Sequence, residues 1–190
     1  MPRPGPRHRM RGIPDDLEFQ QNLYTIVGHL VVGFGQLDFG IDMLVGLLFR
    51  DFGGASKHWK KLPVPFESRM EFIADCAENL AAVAPYRVGL LRIVDQAPSV
   101  AATRNDVAHG YVGSYRRSDH LLTYVKAAVD KQNRSFQIVK IRDITARQLL
   151  RVGAQAVDLA AHTTRLNMRM ADALIRAEKK RAVKTGRRGG

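Results

Sequence analysis

Between Leu17 and Phe52 the apolar positions Leu23, Ile26, Leu30, Phe34, Leu37, Ile41, Leu44 and Leu48 recur at spacings of three and four. This is the pattern of an amphipathic helix, and one long helix or two broken ones fit it. Gly28, Gly33, Gly35, Gly40 and Gly46 lie inside the run. Each costs about 1 kcal/mol relative to Ala, so their use lies in close helix–helix approach or in a kink. A second helix is expected from about Phe66 to Val83, with Ser68 and Glu71 at capping-box spacing. A third runs from Tyr86 or Arg87 to Gly110, bent or restarted at Pro98. The strand-like runs "LLTYVKAAV" and "FQIVKI" flank the polar "DKQNRS", which reads as a β-hairpin over about residues 121–141. The last helix is opened by a capping box, Thr145 with Gln148, and a hydrophobic staple, Ile144 with Leu149. Its seam then repeats through Val152, Ala156, Leu159, Thr163, Leu166, Met170 and Ala173. So narrow a seam suits a bundle or a dimer contact.

These elements predict an all-α fold: a helical bundle with a β-hairpin inserted between the third and last long helices. At 190 residues one domain suffices, placed at 15–176 between basic tails at 1–14 and 177–190 that are expected to be disordered. The formal charge of +12 resembles a nucleic-acid signature until it is divided along the chain. Residues 1–11 carry +4 and residues 176–190 carry +6, which leaves +2 for the body. Within the body, residues 12–111 sum to −4 and residues 116–151 to +6, so the hairpin region offers a local basic surface.

The segment "LVVGFGQLDFGIDMLVGLLF" is long enough for a membrane span, but Asp38 and Asp42 would each cost about 2.5–3.5 kcal/mol at the centre of one. No membrane span is expected. Four residues apart, the two aspartates share a helix face; they form a solvated stripe or orient cationic groups near a site. The amino terminus lacks an apolar signal core, and the single Cys76 has no partner for an internal disulfide, so a cytoplasmic protein is expected. "GFGQLDFG" follows no strand and lacks the Gly-Lys-Ser/Thr ending of a phosphate loop. The two "DFG" strings lack the rest of a kinase. The six histidines show neither HExxH nor HxxxH spacing, so no metal or other cofactor is expected.

The stretch "RNDVAHGY", residues 104–111, is different in kind. Arg followed five positions later by His is uninformative alone, since Arg3 and His8 repeat it in the amino-terminal tail. At 104–111 the pair lies at the end of a helix, with Asn105 after the Arg and Gly110 after the His. In this context the sequence resembles the HEPN superfamily (higher eukaryotes and prokaryotes nucleotide-binding), whose Arg-x4-6-His signature lies near the end of the third bundle helix. The resemblance spans residues 17–175 in helix order and is sharp only at 104–111. It implies a metal-independent endoribonuclease, acting as a toxin or in defence.

The residue types suit that chemistry. RNA supplies its own nucleophile, the 2′-OH. His109 can exchange protons near neutrality, and Arg104 can hold phosphoryl oxygens with a planar fork. Five residues of ideal helix turn through about 140°, which points Arg104 and His109 apart, while Asn105 and His109 share a face. Arg104 can join them if the helix ends or bulges there, with Gly110 as its C′ residue, or if the long side chain wraps around. Asn105 would orient the His or touch phosphate. A two-fold homodimer would bring two His and two Arg to one cleft, as the resemblance also implies. The form Arg-x4-His-x-Tyr further implies a nucleotidyltransferase antitoxin that attaches AMP to Tyr111; otherwise Tyr111 is a helix-end aromatic packed on the core. The competing reading is a non-catalytic HEPN-like module that binds RNA, nucleotide or a partner protein. A purely structural helical dimer would leave the basic hairpin and RNDVAHGY unexplained.

Overall fold

The computed structural model describes residues 17–56, 58–116, 118, 120–130 and 135–186. The expected amino-terminal tail, the hairpin turn at 131–134 and residues 187–190 of the expected carboxy-terminal tail lie outside these. The first part of that tail, residues 177–186, is helical, which corrects the expectation of disorder there. In chain order the elements are helices α1 (Leu17–Arg50) and α2 (Phe66–Asn79), a 3-10 turn (Ala81–Tyr86), and α3 (Arg87–His109). Strands β1 (Tyr111–Arg116), β2 (Leu121–Asp130) and β3 (Ser135–Thr145) follow, and α4 (Ala146–Gly186) closes the chain. The chain divides into two compact units: the chain up to Val32 together with Val100–Ala154, and Gly33–Ser99 together with Gln155 onward. Helices α1, α3 and α4 therefore each contribute to both units, where the sequence alone reads as one domain.

The first unit holds an antiparallel sheet in the order β1-β2-β3. The chain is thus mixed α/β, and the all-α expectation is overturned. The hairpin is where the sequence places it, but β1 is an additional strand. It is six residues long, interrupted by Gly113, and joined to α3 through the single residue Gly110. So short a run after a long helix reads as a helix end. Its pairing shifts register between Val112 and Ser114, a bulge that bends a strand and increases its twist. Leu23, Leu30, Val107, Leu122, Tyr124, Ile144 and Leu149 are buried in this unit, each large apolar side chain contributing about 1.5–3 kcal/mol. Thr145 and Gln148 form the expected reciprocal cap, with Gln148 N donating to Thr145 Oγ1 at 3.1 Å and Thr145 N to Gln148 Oε1 at 2.8 Å. The staple residues Ile144 and Leu149 are both buried.

The second unit is helical. Its core is Leu37, Ile41, Leu44 and Leu48 of α1, Phe72 and Ile73 of α2, Leu90 and Ile93 of α3, and Leu159 of α4. Gly33 and Gly40 let α1 approach α4 closely: a Cβ at Gly33 would meet Val157 at 3.0 Å and one at Gly40 would meet Thr163 at 3.1 Å. Asn167 Nδ2 donates to the carbonyl of Gly40 at 2.9 Å. Gly28 and Gly35 serve no such contact, since a Cβ at either would have nothing within 4 Å. α1 is long and apolar enough to cross a membrane by length and composition alone, and half of its apolar window is buried inside the fold.

One local expectation is corrected, and two that the sequence leaves open are narrowed. α2 stops at Asn79, and Pro65, not Ser68, precedes it, without a side-chain cap. Proline has no backbone N–H and a fixed φ suited to a helix entry, which leaves Ser68 inside the first turn. α1 is one helix. α3 stays helical through Pro98.

Candidate functional site

The site predicted at 104–111 lies in the first unit, where α3 gives way to β1. Helical periodicity sorts its residues. Thr103, Val107 and, partly, Asp106 are withdrawn from solvent, whereas Ala102, Asn105, Ala108 and His109 are exposed. Val107 supplies the apolar anchor. Gly110 N donates to Asp106 O at 3.0 Å and closes the last turn. A Cβ on Gly110 would stand 2.6 Å from Asp106 O and 2.9 Å from Ile141 Cδ1, so lack of space requires glycine here. Gly53 is the only described glycine with positive φ, so Gly110, which follows the last residue of α3 as expected, is selected by crowding instead of by backbone freedom.

Arg142 of β3 fixes the buried side of this helix end. Its Nη1 donates to Thr103 Oγ1 at 2.6 Å, and its Nε pairs with Asp106 Oδ2 at 3.0 Å. Thr103 and Asp106 are three residues apart and present adjacent groups on one helix face, so one guanidinium spans both. On the solvent side, Arg104 Nη1 donates to Asn105 Oδ1 at 3.0 Å. α3 therefore continues in helical form to His109, and the arginine head reaches around it to the residue that shares a face with His109. No bulge is used. His109 is exposed as the last residue of α3. Tyr111 opens β1 opposite Val125 and is 43% exposed; it is the first residue of a strand instead of a helix-end aromatic.

A cleft of about 370 Å³ opens from Thr103 along β3 to α4, and Arg142, Asp143, Gln148 and Arg151 line it. Thr123 Oγ1 donates to Asp143 Oδ1 at 2.8 Å. Tyr124 stands on β2 opposite Val112 and Arg142, and burial raises its phenol above the ordinary value of 10.0. Its ring is thus a packing element under the sheet. The basic excess expected for residues 116–151 supplies the cations of this cleft.

Asp38 and Asp42 belong to the second unit, and their partner is Arg69. Arg69 Nη2 donates to Asp38 Oδ1 at 2.7 Å and Nη1 to Asp42 Oδ1. The Arg69 side chain is only 8% exposed and its guanidinium lies 5.7 Å from the Phe66 ring centre. The two carboxylates thus compensate a buried cation, and they belong to the second unit, whereas the 104–111 segment belongs to the first. Sequence reasoning misses Thr103, Asp106 and Arg142. Asp106 lies within the quoted motif, but only tertiary pairing reveals that Arg142 is its counter-ion. Among the described residues no three His, Cys, Asp or Glu side chains are grouped so as to hold a metal ion. No protein-family description, curated protein or solved structure matches this chain.

Proposed function

We propose that the chain is a metal-independent endoribonuclease of the HEPN type, acting in the cytoplasm as a homodimer in a toxin or defence role. The observation that carries this reading is the Arg104–Asn105 hydrogen bond, which draws the guanidinium toward the exposed face on which His109 ends α3. A 2′-OH loses its proton to one imidazole as its oxygen bonds to phosphorus. The P–O5′ bond breaks, and a second proton reaches the departing O5′. Arg104 balances charge on the non-bridging oxygens as it builds. Each chain offers one histidine at this position, so base and acid come from two copies related by a two-fold axis. Arg142, through Thr103 and Asp106, acts as a positioning residue for the helix end. Two residues beyond His109 stands Tyr111, 43% exposed. Transfer of AMP to it from ATP, with loss of pyrophosphate, would set a negative phosphate where RNA phosphate must sit; a nucleotidyltransferase antitoxin is the matching partner.

The alternative is a non-catalytic module that binds RNA, nucleotide or a partner through the same surface. One observation favours it: the 104–111 segment holds a single histidine, exposed at the end of α3, so the segment of one chain alone is not a complete acid–base pair. Cleavage of RNA in EDTA separates the two readings. The nuclease yields 2′,3′-cyclic phosphate and 5′-OH ends, and His109→Ala abolishes the products while melting temperature and dimer stay unchanged. Products with 3′-OH ends that require Mg²⁺, or activity indifferent to His109, would remove the proposal.

A further inference from the structure

A second cleft, of about 400 Å³, lies wholly within the second unit, between the first turn of α3 and the middle of α4. Its size falls in the range of small-molecule sites, roughly 300–1,000 Å³. Three arginines reach it: Arg92 from α3 and Arg165 and Arg169 from α4. Arg92 Nη2 is matched by Asp158 Oδ2 at 2.6 Å. Among the described residues no carboxylate pairs with Arg165 or Arg169. Placed four residues apart, these two repel one another on one helix face, at a cost of about 0.2–0.5 kcal/mol. The cleft thus keeps two uncompensated positive charges within a shaped hollow.

The rest of the lining is ordered for recognition. Arg169 lies 6.0 Å from the Tyr86 ring centre, and Tyr86 packs edge-on against Phe52 at 6.3 Å, so the aromatic plate is braced from behind. His162 Nε2 donates to Gly89 O at 3.1 Å, which fixes the imidazole. A Cβ at Gly89 would meet both His162 and Leu166 at 3.3 Å, so the glycine keeps the cleft wall open. Val88 stands 85% exposed at the rim, and the buried Leu166 lies deeper.

We propose that this cleft binds a small phosphorylated ligand, its phosphate held by Arg165 and Arg169 and its apolar or planar part lying on Val88 and Leu166. A phosphate monoester carries about −1.5 to −2 at neutral pH, which matches two free guanidinium groups, whereas a carboxylate would balance only one. Guanidinium forks also match phosphate geometry in a bidentate manner. The site is separate from the 104–111 segment and does not depend on the nuclease reading.

The test is a nuclear magnetic resonance titration of the full chain, following the arginine side-chain and Gly89 amide signals. Phenyl phosphate, inorganic phosphate and phenol are the probes. Phenyl phosphate should shift the Arg165, Arg169 and Gly89 signals saturably, and more tightly than inorganic phosphate, while phenol alone does little. Arg165→Gln with Arg169→Gln, both on exposed positions, should weaken binding at least tenfold with an unchanged melting temperature. His109→Ala should bind as the native chain does, which keeps this result distinct from that of the cleavage assay. Shifts spread without saturation over all arginines, or binding unaltered in the double variant, would overturn the proposal. A single-stranded oligonucleotide moving these signals where phenyl phosphate does not would also overturn it, by marking a polynucleotide surface.

Discussion

Replacing Arg142 by Met keeps most of the aliphatic stem and removes the guanidinium that joins β3 to the end of α3. Two hydrogen bonds are lost, one to Thr103 Oγ1 and one to Asp106 Oδ2. A hydrogen bond to a charged group contributes about 1.5–3 kcal/mol when well shielded. Here the side chains of Arg142 and Asp106 are 35% and 27% exposed, so water recovers part of the loss and about 1–2 kcal/mol is the expected cost. At roughly 2–4 °C per kcal/mol for a chain of this size, the melting temperature should fall by about 2–8 °C. Denaturant unfolding of Arg142→Met, Asp106→Asn and the double variant closes a thermodynamic cycle, with a coupling of about 1 kcal/mol expected between contacting charges. RNA cleavage should fall alongside, though less than in His109→Ala, because the guanidinium holds the helix end and does not touch the phosphate. Additive single and double variants, with coupling near zero, would refute the cross-tie as the element that secures the site.

Removing both carboxylates around Arg69, by Asp38→Asn with Asp42→Asn, should cost about 2–3 kcal/mol by stranding a buried cation. Arg69→Met should cost less, because it removes the charge together with its need for partners; chemical denaturation giving the reverse order would count against this. Burial, aided by Asp75, pushes the Cys76 thiol from 9.0 up to about 12. A thiol pKa raised on folding stabilises the native state below the unfolded value and loses that contribution as pH climbs from 9 toward 12. Native protein should therefore resist iodoacetamide at neutral pH and lose stability over that alkaline window, with a shallower loss in Cys76→Ala; equal slopes would argue against the burial. Gly28→Ala and Gly35→Ala should each raise stability by about 0.5–1 kcal/mol, since an added methyl meets nothing within 4 Å. Calorimetry returning a loss at either would point to a contact made by another copy of the chain.

The parts legible in the sequence are those governed by neighbours along the chain. The Thr145–Gln148 cap, the Ile144–Leu149 staple and the seams of α1 and α4 depend on spacings of three and four, and the structure carries them. The exposed side of the site, with Asn105 and His109 on one face, was readable for the same reason. β1 was not, because a six-residue strand is defined by its partner β2 and leaves only a faint periodicity of its own. Arg142 was hidden because its value comes from meeting Asp106 across 36 positions of chain. The crowding that requires glycine at 110 was hidden because space around a Cβ is a property of Ile141 and Asp106 in three dimensions.

The interleaving of the two units has a consequence for synthesis. Residues up to Val32 complete their unit only with Val100–Ala154, and Gly33–Ser99 complete theirs only with residues from Gln155 onward. Neither unit is a continuous length of chain, so the first cannot close before Ala154 is made, nor the second before the residues from Gln155 onward. At about 5–20 residues per second, the stretch from Val32 to Ala154 takes roughly 6–24 s to emerge. During that interval the apolar stripe of α1, from Leu23 to Leu48, waits without the helix that later covers it. α1 is thus the segment most in need of a chaperone before α4 arrives, and a stop codon anywhere ahead of α4 leaves both units unfinished.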